Sequence, residues 1–434
     1  MFLIYSIVYT LAFIVLLPRF IFDALFKGKY AAGFKQRLGF LPKFNSHGKK
    51  VVWLHCVSVG ETNAARPLAL NIKENFPDLS LVISTTTRTG QKLAKTAFTD
   101  IADLVFYFPF DWKSTVHRAL RHIKPSAVLL METEIWFNFI RESYHAGARV
   151  AIVNGRLSEK SFNRYGKIRI FMKRVLGYLD LALMQENADA TRLMSLGIRA
   201  SKVRVTGNLK FDHDLDENES ALTDELRKRF NFNAEAPLII AASTHSPEEK
   251  WLLEAFKEVW KSSVGNLPRL MIAPRHPERF NEVAEIIKST GFTWVRRSEP
   301  ESEDDKNAEV VLLDSIGELR SAYPLAEIVF VGGSLIPHGG QSIFEPAAAG
   351  RAIMTGPHTA NFDAAVKEFL NKDAIIQLPR IADKEIAPKL SAVLKELLSD
   401  ADRKRSLGSN ALEVMNHNRG AVNRTLEYLT TFLS

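Results

Sequence analysis

Residues 51–62 have the sequence VVWLHCVSVGET, in which an apolar run is followed by a glycine, Gly60, and an acid, Glu61. The run Val51–Leu54 predicts a buried strand, and we expect the following helix to begin near Asn63. Gly60 is expected to form the tight turn between them, because glycine lacks the Cβ that resists such a path. Glu61 then lies at the start of the helix, where α/β enzymes place catalytic groups. A first-turn acid also stabilises a helix electrostatically, so a purely structural role is equally open.

Short apolar runs recur outward from this stretch and are separated by helix-like sequence. In the first half they are Val51–Leu54, Leu81–Ser84, Leu104–Tyr107, Ala127–Leu130, Val150–Val153 and Leu181–Met184. In the second half they are Leu238–Ala241, Arg269–Ile272, Thr293–Val295, Val310–Leu313, Ile328–Val331 and Ala352–Thr355. This alternation predicts two doubly wound α/β domains, which are Rossmann-like and face a central cleft. Substrates are expected at the carboxyl ends of the strands.

The chain of 434 residues is too long for one hydrophobic core, which favours two domains. Residues 212–219, DHDLDENE, carry five acids and no apolar periodicity, so the boundary is placed there. We therefore predict a membrane anchor at 1–26, an N-terminal domain at 27–211, a linker at 212–220 and a C-terminal domain at 221–434.

The first 17 residues contain no charged side chain and predict an N-terminal membrane anchor helix. Seventeen residues are short for a span and Pro18 follows, so a tilted span and a surface anchor both remain open. Lys27, Lys29, Lys35 and Arg37 come after the segment, which predicts that the main body lies in the cytoplasm. A cleaved signal peptide is disfavoured, because it would need basic residues before the apolar run and a small-residue cleavage site after it, and neither is present.

Charge and motif content exclude several classes of protein. Cys56 is the only cysteine, so an intrachain disulfide is impossible. The net charge of +8 predicts an anionic partner. Nucleic acid is disfavoured because the basic residues are dispersed and no stacking-aromatic motif accompanies them. A dinucleotide oxidoreductase is disfavoured because neither half has G-x-G-x-x-G, and no P-loop, zinc-protease or hydrolase motif occurs.

Polar clusters follow the predicted strands at several points. In the first half they are Met131–Trp136, Asn154–Ser158 and Gly207–Asp212, and in the second Ala273–Arg279, Gly317–Leu319, Gly332–Ser334 and Gly339–Gly350. Glycines and a helix N-terminus near Ser342 suit a phosphate, Arg275 can donate charge-assisted hydrogen bonds, and Glu345 can accept from ribose hydroxyls. Tight turns and helix capping explain the same residues structurally. His55, His276 and His338 are too scattered in sequence to predict a metal site.

Taken together, these motifs resemble the 3-deoxy-D-manno-octulosonic acid (Kdo) transferases of lipopolysaccharide synthesis. The matching segments are HCVSVGE at 55–61, METEIW at 131–136, NGRLS at 154–158, GNLKFD at 207–212, PRHP at 274–277 and the glycine-rich segment 339–350. The resemblance implies a GT-B glycosyltransferase on the cytoplasmic side of the bacterial inner membrane. It would move Kdo from CMP-Kdo to a lipid A precursor, lipid IVA, with inversion and without a metal or other cofactor.

Transferred residue by residue, the resemblance implies that Glu61 is the proton acceptor and that Glu132 and Lys210 stabilise the transition state. It places the CMP contacts on Pro274, Arg275, Gly317, Glu318, Leu319, Ser342, Ile343, Phe344 and Glu345. The helix N-terminus is expected to keep Glu61 ionised. The N-terminal domain would bind lipid A and the C-terminal domain CMP-Kdo.

This sequence departs from the family pattern at three places. Cys56 replaces an alanine, Phe137 replaces a proline, and residues 342–345 are Ser-Ile-Phe-Glu where the family has Asn-Pro-Leu-Glu. The lost asparagine amide leaves one donor contact open, which a serine hydroxyl at a helix N-terminus could supply. A GT-B enzyme using a UDP-sugar and a catalytically inactive protein of the same fold remain alternatives, and the motifs do not give the number of Kdo units added.

Overall fold

The computed structural model describes residues 1–27, 33–212, 217–232, 236–263 and 267–433. Lys29 and residues 213–216 of the predicted linker lie outside this part of the chain. The chain forms two compact units, one of residues 1–212 with 418–434 and one of residues 213–417. The predicted C-terminal domain ran to residue 434, whereas residues 418–434 belong to the first unit.

The first unit contains a parallel sheet of seven strands. They are β1 (Lys50–Cys56), β2 (Leu79–Thr85), β3 (Leu104–Tyr107), β4 (Ala127–Met131), β5 (Arg149–Gly155), β6 (Leu181–Met184) and β7 (Val203–Val205). The order is β3-β2-β1-β4-β5-β6-β7, and every pair is parallel. All seven residues of β2 are buried, as expected for a strand covered by helices on both faces. The order reverses between β1 and β4, the position where such sheets bind ligands.

The helices that precede and connect these strands are α1 (Phe2–Lys27), α2 (Phe34–Arg37), α3 (Val59–Asn75), α4 (Arg88–Ala97), α5 (Lys113–Ile123), α6 (Phe137–His145), α7 (Glu159–Gly166), α8 (Arg169–Leu176) and α9 (Asn187–Leu196). The two faces of the sheet carry separate hydrophobic cores. Trp53 points into the core that includes α1, α5, α6 and α8. Leu54, its neighbour in the strand, points into the core that includes α3 and α4. Alternate residues of one strand therefore anchor opposite layers.

The second unit contains another parallel seven-stranded sheet, ordered β10-β11-β9-β8-β12-β13-β14. Its strands are β8 (Leu238–Thr244), β9 (Arg269–Pro274), β10 (Trp294–Arg296), β11 (Val310–Leu312), β12 (Ile328–Val331), β13 (Ala352–Thr355) and β14 (Ile376–Gln377). Its helices are α10 (Glu217–Phe230), α11 (Glu248–Ser262), α12 (Phe280–Lys288), α13 (Leu319–Ala322), α14 (Phe344–Ala348), α15 (Asp363–Asn371), α16 (Asp383–Ser399) and α17 (Ala401–Asn418). The order reverses between β8 and β12. The prediction of two α/β domains with parallel sheets is confirmed.

The C-terminal helix α18 (Ala421–Leu433) completes the first unit. Its apolar residues Val422 and Leu429 join the core that contains α3. Asp212 accepts the backbone N–H groups of Gly420, at 2.7 Å, and Val422, at 2.5 Å. A carboxylate at the start of α18 stabilises the unpaired N–H groups and the positive end of that helix.

One side of helix α1 packs against the rest of the first unit, and its other side is exposed. Tyr5 donates a hydrogen bond of 2.8 Å to the buried Asp111, and Trp112 donates one of 2.9 Å to Thr10. Ile4, Leu11 and other apolar residues on the far side are more than half exposed. Within the described part of the chain, no helix is long and apolar enough to cross a bilayer.

Candidate active site

Glu61 lies where β1 meets α3, beside the point at which the first sheet reverses its order. The predicted glycine turn is wrong, since α3 begins at Val59 and Gly60 is a helical residue of its first turn. Ser58 is the N-cap instead, and its hydroxyl accepts the N–H of Glu61 at 3.5 Å. A serine followed three residues later by glutamate is a capping pattern, which explains why the helix starts four residues earlier than predicted.

The Glu61 side chain is only 6% exposed and is held by two hydrogen bonds. The N–H of Val57 donates to Oε2 at 2.7 Å, and the hydroxyl of Ser58 donates to Oε1 at 3.0 Å. Burial raises the pKa of Glu61 to about 8, with a second contribution from the Glu132 charge, and these hydrogen bonds oppose the rise. The expectation that the helix terminus keeps this acid ionised is therefore wrong, because desolvation outweighs the helix dipole. Glu61 caps its helix and is also poised to exchange a proton near neutral pH.

Glu132 follows β4 on the other side of the same reversal point. Its backbone has a φ of 53°, a left-handed conformation that is unusual for a residue other than glycine and often found at functional sites. Its N–H is fixed by the Val153 carbonyl at 2.9 Å. Lys210 donates a hydrogen bond of 2.7 Å to the Glu132 carboxylate, forming a partly buried ion pair. Two of the residues given by the resemblance are thus in direct contact.

Asn154 positions the turn that carries Lys210. It is the last residue but one of β5 and has a φ of 54°, and its side-chain oxygen accepts the N–H of Leu209 at 2.9 Å. Leu209 opens a short 3₁₀ turn, Leu209–Phe211, which places Lys210 beside Glu132. Sequence reasoning included Asn154 in a polar cluster but gave it no role, because a left-handed backbone at this residue is not visible in the sequence.

Glu134 adds a third acid to this edge of the sheet. Burial raises its pKa, with a second contribution from Glu132, and Glu134 in turn raises the pKa of Glu61. Three acids and one ammonium group therefore share the region, so that one of the acids is favoured in its neutral form. Such a set can accept a proton from a bound hydroxyl group and stabilise a developing positive charge.

The predicted donor contacts all lie in the second unit, in three separate segments. Pro274 ends β9, and Arg275 follows with an exposed side chain and its N–H on the Thr244 carbonyl at 3.0 Å. Gly317 has a φ of 94° and precedes α13. Glu318 is already engaged by Arg297, which donates hydrogen bonds of 2.7 and 3.2 Å to its carboxylate.

The segment Ser342–Glu345 crosses the start of the short helix α14. The Ser342 hydroxyl donates to the Glu345 carboxylate and accepts the N–H of Phe344 at 3.4 Å. Ile343 and Phe344 are buried and hold the segment in the core. Ser342 lies one residue before the N-cap, Ile343, and its hydroxyl donates to Glu345, so the idea that it replaces the donor contact of the missing asparagine stays a prediction.

Glu248, which the sequence analysis missed, organises the reversal point of the second sheet. It is fully buried at the start of α11. Its two carboxylate oxygens accept four backbone N–H groups at 2.7–3.0 Å, those of His245, Gly333, Ser334 and Leu335. Gly332 lets the backbone pass close, because a Cβ there would lie 2.6 Å from the Ser243 carbonyl oxygen. One carboxylate thus shapes the glycine loop after β12.

Three histidines that are far apart in sequence meet beside this loop. The ring of His245 lies 4.2 Å from that of His338 and 5.2 Å from that of His276, measured between centroids. Burial, together with the neighbouring rings of His338 and His276, lowers the pKa of His245 to about 4. His245 is therefore neutral at pH 7. Only His276 and His338 had been noted from the sequence, where they were considered too scattered to act together.

The chain is similar in sequence to a known protein family and to its members. The family model described as 3-Deoxy-D-manno-octulosonic-acid transferase (kdotransferase) matches residues 32–213. The 3-deoxy-D-manno-octulosonic acid transferase of Haemophilus influenzae is 33% identical over 405 residues, which cover 93% of this chain and 92% of that protein. The corresponding protein of Bordetella pertussis is 31% identical, over 88% of this chain and 87% of its own length.

Solved structures support the fold. A glycosyltransferase from Rickettsia africae superposes with a TM-score of 0.56 at 14% identity, over 89% of this chain and 99% of that one. A putative UDP-N-acetylglucosamine 2-epimerase from Listeria monocytogenes gives 0.57 at 13% identity, over 89% and 97%. Such low identities show a shared architecture and no more. The sequence matches over nearly the full length go further, and the chain belongs to the 3-deoxy-D-manno-octulosonic acid transferase family.

Proposed function

We propose that this protein transfers Kdo from CMP-Kdo to a lipid A precursor, lipid IVA, with release of CMP. The observation that carries the proposal is the Glu61 carboxyl group, buried beside Glu132 at the reversal point of the first sheet, in a chain of this family. A general base works best when its pKa lies near the working pH, and burial gives Glu61 a pKa of about 8. We assign acceptor binding to the first unit, because that unit carries Glu61.

The chemical step is an inverting displacement. A sugar hydroxyl of the acceptor attacks the anomeric carbon of Kdo and gives its proton to Glu61. A new carbon–oxygen bond forms as the bond to the CMP phosphate oxygen breaks, and CMP leaves with that electron pair. Attack from the face opposite the leaving group inverts the anomeric centre.

We assign donor binding to the second unit. Arg275 is exposed, and its guanidinium can donate charge-assisted hydrogen bonds to the phosphate. Glu318, whose carboxylate is paired with Arg297, contributes through the backbone of residues 317–319. Fixed N–H groups and guanidinium groups can stabilise a leaving phosphate electrostatically, so the proposed step needs no divalent metal.

We also propose that the protein works at the cytoplasmic surface of the bacterial inner membrane. Helix α1 exposes Ile4, Leu11 and Val15 at 64%, 58% and 77% of their surface, which favours burial in a bilayer surface over contact with water. An acceptor carried in the same membrane would then reach the enzyme without leaving the bilayer.

The test is to incubate the detergent-extracted protein with CMP-Kdo and a tetra-acylated lipid A precursor and to weigh the lipid product by mass spectrometry. We expect a gain of one or more Kdo units. Glu61→Gln keeps one oxygen that can accept the N–H of Val57, and its NH2 group can donate to the Ser58 hydroxyl, but it cannot accept a proton, so its rate should fall by about 10²- to 10⁴-fold.

Glu74→Gln is the matched control, since Glu74 lies on the same helix and is exposed. Its rate should equal that of the unmodified protein. A fully active Glu61→Gln protein would refute the assignment of the base. Absence of any Kdo transfer while CMP-Kdo stays intact would refute the reaction and favour the alternative of a UDP-sugar donor.

A further inference from the structure

Helix α5 carries a row of basic side chains on its outer surface. Lys113, His117 and Arg121 are spaced four residues apart, so they lie along one face of the helix, and all three are exposed. Arg118 and Arg141, from α5 and α6, lie beside the row. Within the described part of the chain, neither Lys113 nor Arg121 forms an ion pair with an acidic side chain, so their charges are available to a ligand.

These cations line one groove of about 1080 Å³, which α1 closes on its other side through Phe2, Leu3 and Ser6. No acidic residue lines the groove. Two buried acids lie close to the lining: Glu142 is 3.5 Å from Arg141 and 3.9 Å from His117, and Asp111 accepts the N–H of Asn138 at 3.1 Å. Two buried acids do not neutralise the four permanent cations Lys113, Arg118, Arg121 and Arg141, so the groove attracts anions.

Two of the arginines are fixed in place by aromatic rings. The guanidinium of Arg141 lies 4.7 Å from the ring centre of Phe2, and that of Arg118 lies 4.1 Å from that of Phe40. Cation–π packing of this kind holds a guanidinium group in position. The groove therefore combines two arginines held against aromatic rings with the exposed side chains of Lys113 and Arg121.

An apolar surface adjoins the groove. Leu3 lines it and is 73% exposed, and the outward face of α1 continues from there through Ile7 and Leu11. Helix α1 is held in this position by the hydrogen bonds of Tyr5 and Thr10 and by the ring of Tyr5, whose centre lies 4.8 Å from that of Phe137. Cationic side chains thus lie next to an exposed apolar surface.

The groove is separate from the catalytic acids. Helices α1, α5 and α6 pack on the face of the sheet that contains Trp53, whereas α3, which carries Glu61, packs on the other face. Glu61 lies in the first turn of α3, at the edge of the sheet where β1 ends, whereas the groove extends along the outer surface of α5. This separation favours a lipid that holds the enzyme on the membrane over the lipid that reacts.

We infer that this groove binds the phosphate headgroup of an anionic phospholipid of the membrane, with its acyl chains against the outward face of α1. The inference rests on the proposed location at the membrane surface. It adds a specific binding site for one lipid, in which the cations bind the headgroup and α1 supplies the apolar contact.

The test is flotation of the full-length protein with vesicles of phosphatidylcholine alone or of phosphatidylcholine with phosphatidylglycerol. We expect stronger binding to the vesicles that contain phosphatidylglycerol. Lys113→Gln combined with Arg121→Gln should weaken that binding by about 25-fold, since each cation near an anionic surface contributes about fivefold. Binding to phosphatidylcholine alone should change by less than about twofold, because α1 is untouched.

Two matched variants distinguish a specific binding site from a general effect of positive charge. Lys389→Gln with Lys395→Gln removes two exposed charges from α16 and should leave binding unchanged. Lys113→Arg with Arg121→Lys keeps the charges and should keep the preference, which also shows that the position tolerates substitution. An equal loss in the α16 variant, or no preference of the unmodified protein for phosphatidylglycerol, would overturn the inference.

Competition identifies the source of the phosphate. Inorganic phosphate at constant ionic strength, and the lipid A precursor in micelles, should fail to release the protein from phosphatidylglycerol vesicles. Release by either one would overturn the assignment to a membrane phospholipid. Flotation involves no Kdo transfer, so its result stands whether or not the proposed reaction is correct.

Discussion

The reversal points of the two sheets both contain a buried glutamate at a helix start, but the two glutamates have different partners. Glu248 in the second unit accepts four backbone N–H groups. Burial raises the pKa of both groups, but Glu61 in the first unit accepts only one backbone N–H and one hydroxyl to oppose that rise, and the Glu132 charge adds to it. A carboxylate surrounded by donors fixes a loop, whereas a carboxyl group with few donors and an acidic neighbour can exchange a proton.

The strongest test of this comparison is Glu248→Ala. The substitution leaves four buried N–H groups without their acceptor, and each unsatisfied group costs about 1–3 kcal/mol. We expect the free energy of unfolding of the second unit to fall by more than about 4 kcal/mol, measured by urea denaturation. Glu254→Ala, at an exposed position on the same helix, is the control and should have little effect. Near-normal stability of Glu248→Ala would show that the glycine loop does not depend on this carboxylate.

The second test is the effect of pH on the stability of the first unit. Glu61 has a pKa of about 8 in the fold, against an ordinary value of 4.5, so folding disfavours its ionised form. Its contribution to stability is complete below pH 4.5 and is lost as the pH rises towards 8. Glu61→Gln cannot ionise, so we expect it to gain a few kcal/mol relative to the unmodified protein between pH 5 and pH 8.

The measurement is the difference in urea midpoint between the two proteins at each pH, which cancels the titration of all other groups. Glu74→Gln should show no such pH-dependent difference, because Glu74 is exposed. A constant difference between Glu61→Gln and the unmodified protein across this range would mean that Glu61 titrates normally in the fold.

The sequence was sufficient to predict the central strands of both sheets. Runs such as Val51–Leu54 and Ile328–Val331 are buried on both faces, and burial of that kind leaves an apolar pattern with little ambiguity. The edge strands β7 and β14 were missed because they have three and two residues and are only partly buried. Short edge strands receive their hydrogen bonds from neighbours that the local sequence does not specify.

The sites were predicted less completely, for physical reasons that differ between the units. Glu61, Glu132 and Lys210 came from the resemblance, and the structure brings them together. The raised pKa of Glu61 depends on burial and on Glu132, which is 71 residues away in the chain. Glu248 was missed because its four partners come from two loops that meet only in the folded sheet. By contrast, the helix start at Ser58 was predictable, since its capping pattern is visible in the sequence.

The smallest of these effects concerns the pH dependence of Kdo transfer. If Glu61 is the base, the rate should rise with pH as Glu61 loses its proton, with a midpoint near pH 8 in the unliganded enzyme. Glu132→Gln removes the negative charge that raises this pKa and also frees the Lys210 ammonium, so both changes should move the midpoint down, by about 1 pH unit.

Ser58→Ala is the control of opposite sign. It removes the hydroxyl that donates to Glu61 at 3.0 Å, a hydrogen bond that favours the ionised carboxylate, so the midpoint should move up. The maximal rate of either variant can change for other reasons, but a general loss of structure cannot move the midpoint in opposite directions. Profiles of kcat/KM against pH for the three proteins therefore distinguish a tuned base from a structural cap, and coincident midpoints would leave Glu61 with the capping role alone.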